Sequence, residues 1–278
     1  LHYQTTLRDT IEFEGIGLHT GLPARVAVRP AKAASGLSFR LDGAVTIPAH
    51  AEYVTDTRRA TVLGSGERSV STVEHLLSAL AGMGVDNALI DVEGPEIPVL
   101  DGSALPFAQA IAAVGTSALA EPRRRYVPAA PAYFRDGDKL LIVLPASELR
   151  VKVAVAFDAP VGAQFFDGEV TPEVYLREIA PCRTFGFASE IEALRQAGLA
   201  RGGSLENAVV FAADGPLQPL RFPDEPVRHK VLDLIGDFAL LGAWPQAEIV
   251  AFKGGHTLHH RAVLELRGSV RPDAAAAR

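Results

Sequence analysis

Hydrophobic positions along this chain recur with two periods. Short alternating runs bounded by glycine and proline predict strands at 22–30 (LPARVAVRP), 36–43 (GLSFRLDG), 87–94 (NALIDVEG), 139–145 (KLLIVLP) and 150–157 (RVKVAVAF). AEIVAFKGGH and 261–268 (RAVLELRG) read as closing strands by the same pattern. Apolar residues at i, i+3, i+4 and i+7 predict helices instead. In 226–242 (PVRHKVLDLIGDFALLG), Val231, Leu234, Ile235 and Phe238 keep that spacing. His229, Asp233 and Asp237 fall on nearly the opposite face, each one turn above the last. In 71–80 (STVEHLLSAL), Val73, Leu76, Leu77 and Leu80 form the stripe and His75 lies on the far side. Further helices are expected at 106–115, 172–180 and 189–198.

These elements fall into two halves, each mixing a sheet with about two helices, one of which carries an outward histidine. The expectation is an α+β fold of two similar layers. The run 121–131 (EPRRRYVPAAP) holds three prolines and three adjacent arginines, and reads as a linker. It divides the chain into an N-terminal domain, 1–120, and a C-terminal domain, 132–270, followed by a flexible tail, 271–278.

Composition narrows the function classes. The 278 residues are 48% hydrophobic and 22% charged, which suits a globular protein and not a disordered one. A net charge of -6 disfavours a broad nucleic-acid-binding surface. The longest apolar runs are strand-length, too short to span a bilayer, and no charged-then-apolar leader opens the chain. The lone Cys182 cannot form an internal disulfide, which fits a reducing, cytoplasmic compartment. There is no G-x-S-x-G elbow, P-loop, dinucleotide-binding glycine fingerprint or H-E-x-x-H.

The chemistry-bearing residues sit on the two helices and two loops. An i, i+4 His–Asp pair is ordinarily a solvated helix face. Here the polar stripe extends to a third residue, and Lys230 beside it offers a cation for a phosphate. Two histidines and a carboxylate with a fourth position open form a common catalytic zinc set. Glu74 has two readings. With Ser71 it makes the S-x-x-E capping box, and beside His75 it can reach the same cleft. Two glycines before His256 suit a tight bend at a strand end, while His259 and His260 read as surface residues. Thr184, in 182–187 (CRTFGF), is a turn hydroxyl that could also donate to an oxyanion.

Taken together and in order, GIGLHTG (15–21), STVEH (71–75), GPEIPVLDGSA (94–104), RTFGF (183–187), GLARGGS (198–204), VRHKVLDLIGD (227–237) and GGH (254–256) resemble the UDP-3-O-acyl-N-acetylglucosamine deacetylase family of zinc-dependent amide hydrolases in lipid A biosynthesis. The resemblance covers about residues 4–268. It implies two domains of like topology, each a five-stranded sheet with two helices, packed as a β-α-α-β sandwich with an inserted segment near the active site in each. It implies hydrolysis of the N-acetyl group, releasing acetate and the free amine. By motif match, His75, His229 and Asp233 would hold zinc, or ferrous iron in its place. Glu74 would be the general base and His256 the general acid, oriented by Asp237, with Thr184 on the oxyanion. Lys230, Lys139 and Phe157 would serve the nucleotide end, the 198–204 segment with Gly203 would lie in the acyl passage, and Phe185 and Leu18 would also bind substrate. Arg201 stands where that passage more usually carries an aliphatic residue. The expected partner is one small amphipathic UDP-sugar, with no nucleic acid, no stable membrane insertion and a monomeric chain. The alternatives are another acyl-amide hydrolase on this scaffold or a metal-free binding protein.

Overall fold

The computed structural model describes residues 3–268. The expected tail, 271–278, and His2 lie outside the described residues. Two five-stranded sheets dominate. The first runs Ile11–Ile16, Pro23–Pro30, Ala88–Glu93, Leu37–Leu41, Val45–Pro48 across its width. The second runs Ala132–Asp136, Lys139–Pro145, Ala247–Phe252, Arg150–Ala156, Ala163–Glu169. In both, the strand that comes last in sequence sits in the centre, parallel to the third strand and antiparallel to the second. The two halves therefore share one topology, with the order 1-2-5-3-4.

Helices enter at matching points. Helix α1 (Glu74–Gly82) precedes the central strand of the first sheet, and α2 (Leu105–Val114) follows it. In the second half, a short α3 (Pro172–Val174) running into a π-helical turn (Tyr175–Ile179) and α4 (Ile191–Gln196) lie in an insertion. The long α5 (Glu225–Ala239) precedes the central strand, and α6 (His256–Arg267) follows it. Each half inserts a small three-stranded sheet between its fourth strand and the helix before its central strand. These are Val54–Asp56, Val62–Ser65 and Arg68–Val70 in the first, and Phe185–Phe187, Val209–Ala212 and Gly215–Pro216 in the second.

Helices α1 and α5 pack on each other in the middle, each buried on nearly every side. One hydrophobic core runs from sheet to sheet through them. Two apolar surfaces have to be covered by one helix pair, so both helices are buried around most of their circumference, polar residues included. The predicted "outward" faces of His75 and His229 are therefore interior. Gly236 sets the closeness of the crossing: a Cβ there would lie 2.8 Å from the Glu74 carbonyl carbon and overlap its oxygen.

Two expectations are corrected. Residues 261–268 are not a closing strand but the second half of α6. Leu258, Ala262, Val263 and Leu266 are its buried stripe, a helical spacing that an eight-residue window cannot separate from alternation. In the stretch read as a linker, strand pairing extends as far as Tyr126. Thr116–Pro122 pairs with Tyr3–Leu7, and Arg125–Tyr126 pairs with Trp244–Pro245. The bend before His256 is made by Lys253, whose φ is +52°, and not by its glycines. Among the described residues no helix is long and apolar enough to cross a membrane.

Candidate active site

His75 projects from the first turn of α1, and His229 and Asp233 from successive turns of α5. All three are buried. The Asp233 Oδ1 atom lies 3.4 Å from His229 Nε2 and 3.8 Å from His75 Nε2. The two imidazole rings are 5.0 Å apart and nearly perpendicular. Donors bound tetrahedrally at about 2.0–2.1 Å stand roughly 3.3 Å from one another, so the trio fits one small divalent cation with little movement.

The electrostatics agree with that fit. Burial, helped by the neighbouring His229, pushes His75 down to about 3, and burial also lowers His229. Both rings are thus neutral, with lone pairs free to ligate. Burial opposes the charge on Asp233, but Lys230 and the histidines outweigh it, and the carboxyl is held far below its usual range. Lys230 Nζ donates to Asp233 Oδ2 at 2.7 Å, leaving Oδ1 for the histidine side. His229 Nδ1 donates to the Cys182 carbonyl at 3.0 Å, which turns Nε2 inward.

A second cluster abuts the first. Glu74 is buried, and burial first, then the nearby Asp233 and Asp237, raise it to about 7. Its Oε1 faces His256 Nε2 at 3.8 Å, and its Oε2 accepts the Thr61 N–H at 3.1 Å. The capping-box reading fails. Val73 is the N-cap, no side chain caps α1, and Ser71 bonds to Thr72. His256 Nδ1 donates to Asp237 Oδ2 at 2.8 Å. Burial pulls His256 down, but Asp237 outweighs it and lifts it to about 10. Asp237 in turn lies well below the usual carboxylate range, because His256 and His259 outweigh its own burial. His259 is not a surface residue: its ring is buried and donates to Asp237 as well.

A cavity of about 710 Å³ opens onto both clusters. Leu18, Lys139, Phe157, Thr184, Phe185, Gly203 and Lys230 all line it together with Glu74, His75, His229, Asp233 and His256. Asp237 alone of the predicted site residues is not in its wall, and sits behind His256. Arg201 is exposed and outside the wall, with Ala200 lining in its place. Phe157 and Phe185 meet edge to face at 5.4 Å, with Lys230 Nζ 5.5 Å from the Phe185 ring.

Sequence reasoning missed the residues that hold this wall together. The Glu96 carboxylate is fully buried. It accepts from the backbone N–H of His19 and Thr20 and from the hydroxyls of Thr20 and Thr72. It thereby ties the 15–21 loop to the entry of α1, where Thr72 holds a left-handed φ of +58° that a β-branched residue adopts only under constraint. A Cβ on Gly17 would overlap this carboxylate, which accounts for the glycine. Buried Arg183 grips Glu225 at the start of α5 through Nε at 2.9 Å, fixing the segment that carries Thr184 and leads into the strand Phe185–Phe187. His19 lines the cavity with a buried Nε2 that has no hydrogen-bond partner among the described residues. The signal for all three was their place inside motifs dense in glycine and charge.

Two neutral imidazoles and one carboxylate around a common point, with a proton acceptor and a charged imidazole beside them, define a metal-dependent hydrolase. The family model described as UDP-3-O-acyl N-acetylglycosamine deacetylase matches residues 4–267, and the chain belongs to that family. Among its relatives is a UDP-3-O-acyl-N-acetylglucosamine deacetylase of Geobacter sp. (strain M21), 44% identical over 277 residues, covering 98% of this chain and 90% of the relative. Enzymes of the same name from Syntrophotalea carbinolica and Nostoc sp. (strain PCC 7120) are each 46% identical. The first covers 94% of this chain and 86% of its own, the second 92% and 95%.

Proposed function

We propose that the chain hydrolyses the N-acetyl amide of UDP-3-O-acyl-N-acetylglucosamine, releasing acetate and the free amine for lipid A biosynthesis. The observation that carries this is the convergence of three buried donors from α1 and α5 beside Glu74 and His256. His75, His229 and Asp233 would hold zinc, and ferrous iron suits the same donors. When bound, zinc supplies a Lewis acid that acidifies water and polarises an amide carbonyl.

The chain's own groups do the rest. Glu74, acceptor-only when ionised, takes the proton of the attacking water. Oxygen adds to the acetyl carbon, and the developing oxyanion is met by the Thr184 hydroxyl; one such donor is worth about 2.7–4 kcal/mol. His256, kept charged by Asp237, protonates the amine nitrogen as the C–N bond breaks. Lys139, Lys230, Phe157 and Phe185 offer charge and aromatic faces to the nucleotide end. Leu18 and Gly203 border the acyl chain, where each buried methylene contributes roughly 0.8 kcal/mol. All these groups come from one chain, so a monomer suffices, and the single buried Cys182 accords with a cytoplasmic setting.

The test is acetate release from the UDP-linked acyl sugar by purified protein. Release that stops with a chelator and returns with zinc is expected. No release from metal-loaded protein refutes the proposal.

A further inference from the structure

His256 is not the only histidine on Asp237. His259, one turn further along α6, is buried and brings Nδ1 to the same oxygen, Oδ2, at the same 2.8 Å. The other oxygen, Oδ1, accepts the Thr61 hydroxyl at 2.6 Å. A carboxylate only accepts, so both imidazoles carry hydrogen on Nδ1. The His259 ring is also held from the sides. Phe238 stands 6.5 Å away, inclined towards an edge-on contact, and a Cβ on Gly254 would come within 2.7 Å of His259 Nε2. Gly254 has no left-handed φ to explain it, so the space for this ring is what the glycine supplies.

We propose that His259 is a positioning residue for His256: it fixes the Asp237 carboxylate in the rotamer that faces His256 and shares the oxygen against which the His256 proton rests. The idea builds on His256 acting as the acid. A buried carboxylate with one donor can rotate, whereas three donors from α6 and the first insertion leave it one orientation. A second N–H on Oδ2 also draws on that oxygen's lone pairs and loosens its hold on His256. The other titratable groups facing His256 are Glu74 from α1, Asp233 from α5, His19 from the 15–21 loop, and the neutral rings of His75 and His229. None of these bonds to Oδ2, and among the described residues His259 is the one group besides His256 that does.

Nitrogen-15 NMR of the histidine rings in metal-loaded protein tests this, with His259→Leu and His259→Asn alongside. In the wild type, His259 is expected to carry hydrogen on Nδ1. In His259→Leu, the His256 ring should titrate about one pH unit higher, with the falling limb of the deacetylation profile moving with it. The kcat should drop roughly 10-fold, the low end of what an orienting partner contributes, with KM unchanged. His259→Asn keeps a donor and should restore most of both. A His259 protonated only on Nε2 overturns the proposal, and in the wild type this decides the matter even if neither variant folds. So does a leucine variant with unchanged His256 titration and kcat, or an asparagine variant no better than leucine. If His256→Ala retains turnover, the acid assignment fails, yet the ring titration still reports what His259 does.

Discussion

Gly236→Ala adds one methyl group at the closest point between the two central helices. The new carbon would lie 2.8 Å from the Glu74 carbonyl carbon and overlap the carbonyl oxygen, against ordinary contact at 3.4 Å or more. Both partners are helix backbone, so no side chain can swing away, and α1 and α5 must part by roughly 1 Å. Alanine favours the helix by about 1 kcal/mol over glycine. Overpacking of this kind costs about 1–3 kcal/mol, so a net loss of about 1 kcal/mol is expected. The larger effect is on the site, because His75 rides on α1 while His229 and Asp233 ride on α5. A misplacement of about 1 Å can cost on the order of 100-fold in rate. Urea unfolding, competition with a chromogenic chelator, and deacetylation kinetics read the three consequences separately. A variant with wild-type metal affinity and kcat would refute the argument that this crossing sets the donor geometry.

Glu74→Gln should lower kcat by about 10²–10⁴-fold while leaving bound metal intact; near-normal turnover would remove Glu74 as the base. Rate against pH should be bell-shaped. Glu74 works ionised, so activity falls as pH drops through its pKa of about 7; His256 works protonated, so activity falls as pH rises through about 10. A divalent cation beside them favours the less protonated form of each, so in loaded protein both limbs should lie at or below these values. A limb of the opposite sign would reverse the acid and base roles. A substrate lacking the 3-O-acyl chain should show kcat/KM reduced by at least about 100-fold if only a few methylenes are buried; equal values for both substrates would exclude an apolar groove.

His229 and Asp233 drew attention because they lie four apart on one amphipathic helix, a purely local pattern; that His75 would join them came from the family resemblance, and the structure brings the three side chains together. The mixed sheet-and-helix character was legible from local patterns as well. What sequence could not supply was non-local. The shared strand order depends on which strand ends up in the middle of each sheet, and no window contains that. Glu74 satisfies a capping pattern and a cleft pattern alike; only the position of α6 decides, because its first residue, His256, faces Glu74. His259 read as a surface residue from its place in the histidine-rich run HTLHHR, whereas its neighbours in space are Asp237 and Phe238. Glu96, buried among four donors, appeared in sequence as one letter of a proline-flanked motif.

Two helices are expected to share one cation through His75, His229 and Asp233. X-ray absorption at the edge of whichever metal accompanies the active protein tests it most directly. One equivalent of metal is expected, with two imidazole nitrogens and carboxylate oxygen at about 2.0–2.1 Å, and His229→Ala should lose both metal and acetate release. Full activity without stoichiometric metal, or a metal whose shell contains no imidazole, would contradict it.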